Sequence, residues 1–219
     1  MKKLSLTSHF STGHNSKGFT VIELLVSMGI ITVILGMILF SYPRFKARSS
    51  LSALAREIGL LVREAQVYGL AVKEFPVRDS EFPPYGIHIS SDRPKEVILF
   101  GDLKAGSTSG LPNNLYESGD GCGSEKTECI RRITITGPEY IDKICVSPGG
   151  GHGSGSGQED ICGINELNIT FRRPDPEAVI VTDNPTIRYN AGKIYLRTTK
   201  DNKQEKIIRV WITGQISIP

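Results

Sequence analysis

Hydrophobic and polar positions divide the N-terminal part of the chain into two contrasting stretches. Residues 1–18 are polar and basic, whereas the residues from Phe19 to Phe40 are almost all apolar. A helix needs roughly 20 apolar residues to cross a bilayer, and this run is long enough. The pattern therefore predicts a transmembrane helix over residues 19–43. Its one charged residue is Glu23. Because a carboxylate costs about 2.5 kcal/mol or more at the centre of a spanning helix, this position needs an explanation.

The next stretch is amphipathic. Apolar residues recur three and four positions apart, which places them on one face of a helix: Leu51, Leu54, Ala55, Ile58, Leu61, Val62, Ala65 and Val72. Polar residues occupy the other face: Ser52, Arg56, Glu57, Arg63, Glu64 and Gln66. The sequence predicts an amphipathic helix over 44–75 whose apolar face packs on a globular head. Its polar face should look toward solvent or neighbouring subunits.

The pattern changes to short β-rich runs from about residue 85, separated by clusters of Gly, Pro, Asn and Asp. The late segments "YNAGK" and "KDNKQ" predict hairpin turns. "SPGGGHGSGSGQED" predicts a flexible loop. Residues 76–219 should therefore form an antiparallel β head. The predicted fold class is α+β, with a long N-terminal helix packed on that head.

Composition and charge exclude several functions. The net charge of +3 is small, and much of it lies in the first 48 residues, so no nucleic-acid partner is expected. The chain has no GxGxxG after a strand, no P-loop and no HExxH, and we predict no cofactor. His88 lies in a predicted strand and His152 in the glycine loop, with no nucleophile arrangement around either. An enzyme is therefore not expected.

The order of the N-terminal segments differs from that of a secretory signal peptide. Such a peptide is cut at a small-residue site after its apolar core, and "ILFSYPRFK" offers no such site. An uncleaved membrane anchor, with Glu23 reaching toward the interface, is one alternative. The other alternative depends on the register of Gly18, Phe19 and Glu23 in front of the apolar helix.

The segment "KGFTVIELLVSMGIITVILGMILF" resembles the processing site and N-terminal helix of type IV pilins and of the pseudopilins of type II secretion. In that family a prepilin peptidase cuts after the glycine on the cytoplasmic side and methylates the new amine. The resemblance implies that residues 1–18 are a cleaved leader. It also implies that Gly18 precedes the cut, that Phe19 becomes the methylated N-terminus, and that Glu23 is the fifth mature residue.

This resemblance gives Glu23 a use. Cleavage creates a positive amine on Phe19, and Glu23 is the opposite charge that can compensate it. The two lie about one helical turn apart within a subunit, or they can pair between staggered subunits. Breaking one partner of a buried pair costs roughly 3 to 5 kcal/mol, so such a pair would set the register of assembly.

The head most resembles the H-type minor pseudopilin of the general secretion pathway and related T-type minor pilins, through "LAREIGLLVREAQVYGLA" and "IRVWITGQISI". The resemblance implies a structural subunit of a type IV pilus or type II secretion pseudopilus. The alternative is a minor pilin whose head binds a surface or DNA. The implied partners are prepilin peptidase, other pilin or pseudopilin subunits, an inner-membrane assembly platform and membrane lipid. The implied location is the inner membrane, crossed once with the head outside the cytoplasm, and then an extracellular pilus or periplasmic pseudopilus.

The four cysteines all lie beyond the membrane segment. Their spacings, C-x6-C and C-x16-C, include no CxxC pair of the kind found in zinc sites. The resemblance also places the head where oxidation is permitted. We predict two local disulfides and no metal site, with zinc as the competing interpretation; the pairs are Cys122 with Cys129 and Cys145 with Cys162.

A calcium site is a further possibility that the sequence leaves open. Major pseudopilins carry one in a late loop, and no equivalent acidic cluster occurs near this C-terminus. Oxygen ligands are instead available in the middle of the chain, at Asp102, Asn113, Asn114, Glu117 and Asp120. A solvated loop is the preferred interpretation of this segment.

Overall fold

The N-terminal helix, α1, runs from Val21 to Leu70. The computed structural model describes residues 18–76, 81–103, 112–117, 121–123, 127–149, 159–183, 187–199 and 204–218. The chain divides into two units, Met1–Pro43 and Arg44–Pro219. In the first unit, the stretch Val21–Phe40 is long and apolar enough to cross a membrane, and none of it is buried among the described residues.

The second unit contains two five-stranded antiparallel sheets. Sheet I has the order β3-β2-β1-β6-β7, formed by β1 (Tyr85–Ser90), β2 (Glu96–Gly101), β3 (Cys129–Thr134), β6 (Glu166–Phe171) and β7 (Ala178–Thr182). Sheet II has the order β10-β9-β8-β4-β5, formed by β4 (Glu139–Pro148), β5 (Ile161–Cys162), β8 (Tyr189–Thr198), β9 (Glu205–Trp211) and β10 (Ile216–Ser217). All neighbouring strands in both sheets pair antiparallel. The predicted α+β class, with a helix packed on antiparallel sheets, is confirmed.

The main core joins the second half of α1 to both sheets. Fully burying one large aliphatic side chain stabilises a fold by about 1.5–3 kcal/mol, so this cluster is the principal source of stability. Its largest buried members include Leu51, Ile58, Leu61, Ile87, Ile89, Leu99, Ile144, Leu167, Ile169 and Phe171. The predicted apolar stripe on α1 is correct from Leu51 to Ala65, because all seven predicted positions in that range are buried.

The end of the stripe was predicted wrongly at Val72. The helix ends at Leu70, and Val72 has a φ of 54° and is 45% exposed. The Lys73 N–H donates to the Tyr68 carbonyl at 3.5 Å, which is the long-range bond of a Schellman cap with Val72 at its left-handed position. The chain therefore leaves the helix before the periodic pattern would carry Val72 onto the core.

Gln66 was predicted on the polar face, but it is buried. Its amide nitrogen donates to the carbonyl of Gly214 at 3.2 Å, in the turn that joins β9 to β10. Gly214 has a φ of 79°, and a Cβ there would meet the Pro176 carbonyl and the Gln66 amide. Gln66 can be buried under this turn because the Gly214 carbonyl satisfies its side-chain amide.

The segment "YNAGK" is not a hairpin turn but the first half of β8. Gly192 pairs with Val146 of β4 on one side and with Val210 of β9 on the other. A Cβ on Gly192 would lie 3.2 Å from Ile169 and 3.4 Å from Leu167, both on β6 of sheet I. The glycine thus serves close approach of the two sheets rather than a turn. The turn predicted at "KDNKQ" lies largely outside the described residues.

Sheet I is covered on both faces. Side chains alternate along a strand, so β2 sends Val97 and Leu99 into the main core and turns Ile98 and Phe100 the other way. Ile98 and Phe100 form a second, smaller cluster with Cys129, and Tyr116 packs against it. The segment 112–117 therefore covers the outer face of sheet I.

Candidate processing and assembly site

The bond between Gly18 and Phe19 lies in exposed chain that is not helical. The described residues begin at Gly18, and helix α1 begins three residues later at Val21. Phe19 is 77% exposed, and a Cβ placed on Gly18 would meet no atom within 4 Å. A peptidase must bind its substrate as open backbone, so this position is sterically accessible for cleavage.

Thr20 caps the helix, and the sequence analysis missed it. Its Oγ1 accepts a hydrogen bond from the Glu23 N–H at 3.4 Å, and its carbonyl accepts the Leu24 N–H at 3.2 Å. Thr20 is therefore the N-cap and Glu23 the third helical residue, which matches the T-x-x-E capping box. That four-residue pattern was the signal in the sequence.

Glu23 occupies the positive end of the helix dipole, where a carboxylate gains about 0.3–1 kcal/mol. Its side chain is exposed, and its carboxylate has no hydrogen bond or ion pair within the part of the chain that the structure describes. The dipole alone compensates only part of the cost of placing this charge near lipid. The carboxylate is thus available to a cation from outside the described chain.

Other polar side chains of the apolar stretch are satisfied within the helix. The Ser27 hydroxyl donates to the Glu23 carbonyl at 2.7 Å, and the Thr32 hydroxyl donates to the Met28 carbonyl at 2.8 Å. Such bonds to the preceding turn remove the need for partners in lipid. Glu23 therefore differs from the hydroxyl residues around it, because its carboxylate has no hydrogen-bond partner among the described residues.

Residues 13–39 match a family model described as the prokaryotic N-terminal methylation motif. The N-terminal segment carries a prepilin processing motif. It implies a pilin-like subunit that prepilin peptidase processes and that assembles with other pilin subunits, and families with this motif are structural rather than enzymatic. The motif and the apolar helix fit a membrane-anchored pilin. No curated protein matches the chain, and no solved structure matches it.

The four cysteines form two pairs in the head. Cys122 is bonded to Cys129 at the start of β3, with the Cα atoms 4.5 Å apart. Cys145 of β4 is bonded to its direct cross-strand partner Cys162 of β5, at a Cα separation of 4.0 Å. These are the pairs that the sequence analysis predicts. Within the described residues, no group of three or more His, Cys, Asp or Glu side chains could hold a metal ion.

The sequence analysis expected Asp102 to lie in a solvated loop. Its side chain is instead buried, with 1% of its surface exposed. Its two carboxylate oxygens accept the N–H groups of Asn113 at 3.2 Å and Asn114 at 2.7 Å. Burial, which outweighs these hydrogen bonds, raises the pKa of Asp102 to about 6. The possible calcium ligands Asp102 and Asn114 are therefore engaged with the chain itself, since Oδ1 of Asn114 accepts the Thr170 hydroxyl at 2.9 Å. Asp120 lies outside the described residues.

Glu128 is a second buried carboxylate that holds the same covering segment. Its oxygens accept the N–H groups of Leu103 and Glu117, at 2.8 and 2.7 Å. Burial raises the pKa of Glu128 to about 7, and the charge of Asp102 adds to the effect. Together the two carboxylates clamp segment 112–117 by its backbone. Sequence reasoning missed Glu128, because nothing in "SEKTEC" distinguishes a buried acid from an exposed one.

Proposed function

We propose that this chain is a subunit of a type IV pilus or a type II secretion pseudopilus, cut between Gly18 and Phe19 and polymerised through its N-terminal helix. The observation that carries the proposal is the unpaired carboxylate of Glu23 on the apolar stretch Val21–Phe40, which no described part of the chain buries. That helix needs lipid before assembly and other subunits after it. In the assembled form, the methylated amine of Phe19 supplies the cation for Glu23.

The domain limits follow from this proposal. Residues 1–18 are the leader, 19–43 the membrane and assembly helix, 44–75 the amphipathic segment, which is helical as far as Leu70, and 76–219 the head. The subunit resides in the inner membrane with its head outside the cytoplasm, and an assembly platform in that membrane extracts it into the filament. The head sequence resembles H-type minor pseudopilins and T-type minor pilins, which supports a subunit of this class of filaments.

The test is to substitute Glu23→Val in the native host and to compare it with Glu57→Gln. Glu57 is an exposed carboxylate on the same helix within the second unit, so its loss controls for charge removal alone. We expect Glu23→Val to be inserted and cleaved normally, because removing the charge makes residence in lipid easier. Incorporation into filaments should fall steeply, since the amine of the neighbouring subunit loses its partner.

Each outcome is informative. Wild-type incorporation of the Glu23→Val subunit would refute the pairing role. Loss of insertion or of cleavage would assign Glu23 to membrane targeting or to peptidase recognition instead. If the Glu57→Gln subunit were equally defective, the effect would belong to overall charge rather than to this position.

A head that binds a partner is the second candidate, and the clamped segment 112–117 favours it. Two buried carboxylates hold this segment over the outer face of sheet I. Polymerisation through the helix would not need such a cover. Abundance distinguishes the candidates, because a structural subunit is a regular component of sheared filaments whereas a binding subunit is scarce.

A further inference from the structure

A cavity of about 160 Å³ opens on the outer face of sheet I, beside segment 112–117. It is distinct from the assembly helix. His88 of β1 and Glu96 of β2 line it, together with Asp92 and Arg93 from the turn between those strands, Tyr116 and Glu166. Polar groups from three strands, a turn and the covering segment therefore converge on one space.

His88 is the buried polar group of this cavity, with only 8% of its surface exposed. Its Nδ1 lies 2.9 Å from Oδ1 of Asn168, and the Tyr116 N–H donates to the same oxygen at 3.2 Å. Because Oδ1 is an acceptor in both contacts, Nδ1 of His88 carries the proton. The neutral ring then has a lone pair on Nε2.

That lone pair has no hydrogen-bond partner among the residues that the structure describes. Burial, the largest cause, lowers the pKa of His88 and keeps the ring neutral at pH 7. The Tyr116 ring lies against the imidazole, with 4.8 Å between the ring centroids. The inner part of the cavity thus offers an acceptor nitrogen beside an aromatic surface.

The charges around the cavity are mainly negative. Three carboxylates line it, those of Asp92, Glu96 and Glu166. Arg93 and, from outside the lining, Arg132 approach Oε2 of Glu96 at 3.7 and 3.6 Å. These distances are those of ion pairs without a hydrogen bond, and Oε2 remains buried without a hydrogen-bond donor in the described chain. Among the lining residues that the structure describes, Arg93 is the one cation against three carboxylates, so negative charge and acceptors predominate.

We propose that this cavity binds an alkylammonium group, the chemistry of a lysine side chain. An ammonium has three N–H donors and no acceptor, which matches the Nε2 of His88 and the carboxylates of Glu96 and Glu166. Its methylenes lie against the Tyr116 ring, and its positive charge is stabilised by a cation–π interaction with the same ring.

The ammonium can come from a lysine of a partner protein or from a free amine. The probes are Nα-acetyl-lysine N-methylamide for the first source and n-butylammonium for the second, each titrated into the full-length chain in detergent. The readout is the ¹⁵N shift of Nε2 of His88 in isotope-labelled protein. Nα-acetyl-norleucine N-methylamide, which lacks the charge, is the control ligand.

We expect saturable shifts with both amines and none with the norleucine compound. Glu166→Gln should weaken binding about fivefold, as for a partly exposed ion pair, whereas Asp175→Asn, at an exposed site outside the cavity, should not. Tighter binding of the lysine compound assigns the site to a protein partner, and equal binding assigns it to free amines. Equal shifts with norleucine, no saturable shift, or identical affinities of the two variants would overturn the proposal. None of these results bears on the helix or on Glu23, so the proposed assembly function is tested separately.

Discussion

The buried carboxylate of Asp102 should make the head less stable at neutral pH than at mildly acidic pH. Its pKa is raised from 3.8 to about 6 in the folded chain, with burial as the main cause. Between those two pH values the folded state binds more protons than the unfolded state. The free energy of unfolding therefore falls as pH rises through this window and levels off above it.

The magnitude follows from the size of the change. One pKa unit corresponds to about 1.4 kcal/mol, so the whole shift corresponds to about 3 kcal/mol. Of this, ionisation of Asp102 lowers the free energy of unfolding by about 2 kcal/mol between pH 4 and pH 7. Glu128 acts in the same direction at slightly higher pH, because its pKa is about 7. In Asp102→Asn the pH dependence that Asp102 contributes to stability disappears. The contribution of Glu128 becomes smaller, because the neighbouring negative charge is gone.

The Asn side chain also turns an NH₂ group toward a backbone N–H, either that of Asn113 or that of Asn114. Leaving one buried donor without an acceptor costs about 1–3 kcal/mol. We therefore expect Asp102→Asn to be less stable than the wild type near pH 4, with the difference narrowing toward pH 7. The narrowing, rather than the absolute stability, is the signature of a buried titrating acid.

The assay is urea unfolding of the full-length chain in detergent at a series of pH values. Trp211, the only tryptophan of the chain, lies in β9 and reports unfolding of the head by its fluorescence. Asp175→Asn, which changes an exposed aspartate, is the matched control. If Asp102→Asn and Asp175→Asn follow the same pH dependence, Asp102 titrates normally and the buried clamp is refuted.

Three further predictions concern the processing site, the helix end and the cysteines. Mass spectrometry of protein from the native host should show a chain that begins with methylated Phe19, and an intact Met1 in mature filaments would contradict cleavage after Gly18. Val72→Gly should raise the free energy of unfolding by up to about 1 kcal/mol. A left-handed conformation costs a β-branched residue about 1–2 kcal/mol, and glycine removes this cost but loses more conformational entropy on folding. Ala71→Gly at the preceding position is the control and should destabilise; a lower stability for Val72→Gly would show that the residue is not strained. Peptide mapping without reduction should recover two linked pairs, and crossed pairs or four free thiols would contradict this pairing, which is Cys122–Cys129 and Cys145–Cys162.

Local patterns in the sequence sufficed where the determining interactions are themselves local. The apolar run predicts the candidate membrane helix, and three- and four-residue spacing identifies the buried face of α1 from Leu51 to Ala65. The register of Gly18, Phe19 and Glu23 indicates the processing motif, which the family model also matches. Each of these features depends on residues that are close together in the sequence, so the sequence alone is enough to predict it.

Tertiary structure decided the positions whose partners lie far away along the chain. Gln66 is polar by type, but a turn some 150 residues later supplies its acceptor and buries it. Gly192 reads as a turn residue, and only the close approach of sheet I shows that it is a strand residue lacking a Cβ. Asp102 and Glu128 read as surface acids because the backbone donors that hold them come from a segment whose placement the sequence does not specify. The reason is common to all four: an amide, a glycine or a carboxylate has several structural uses, and the distant group that contacts it selects one.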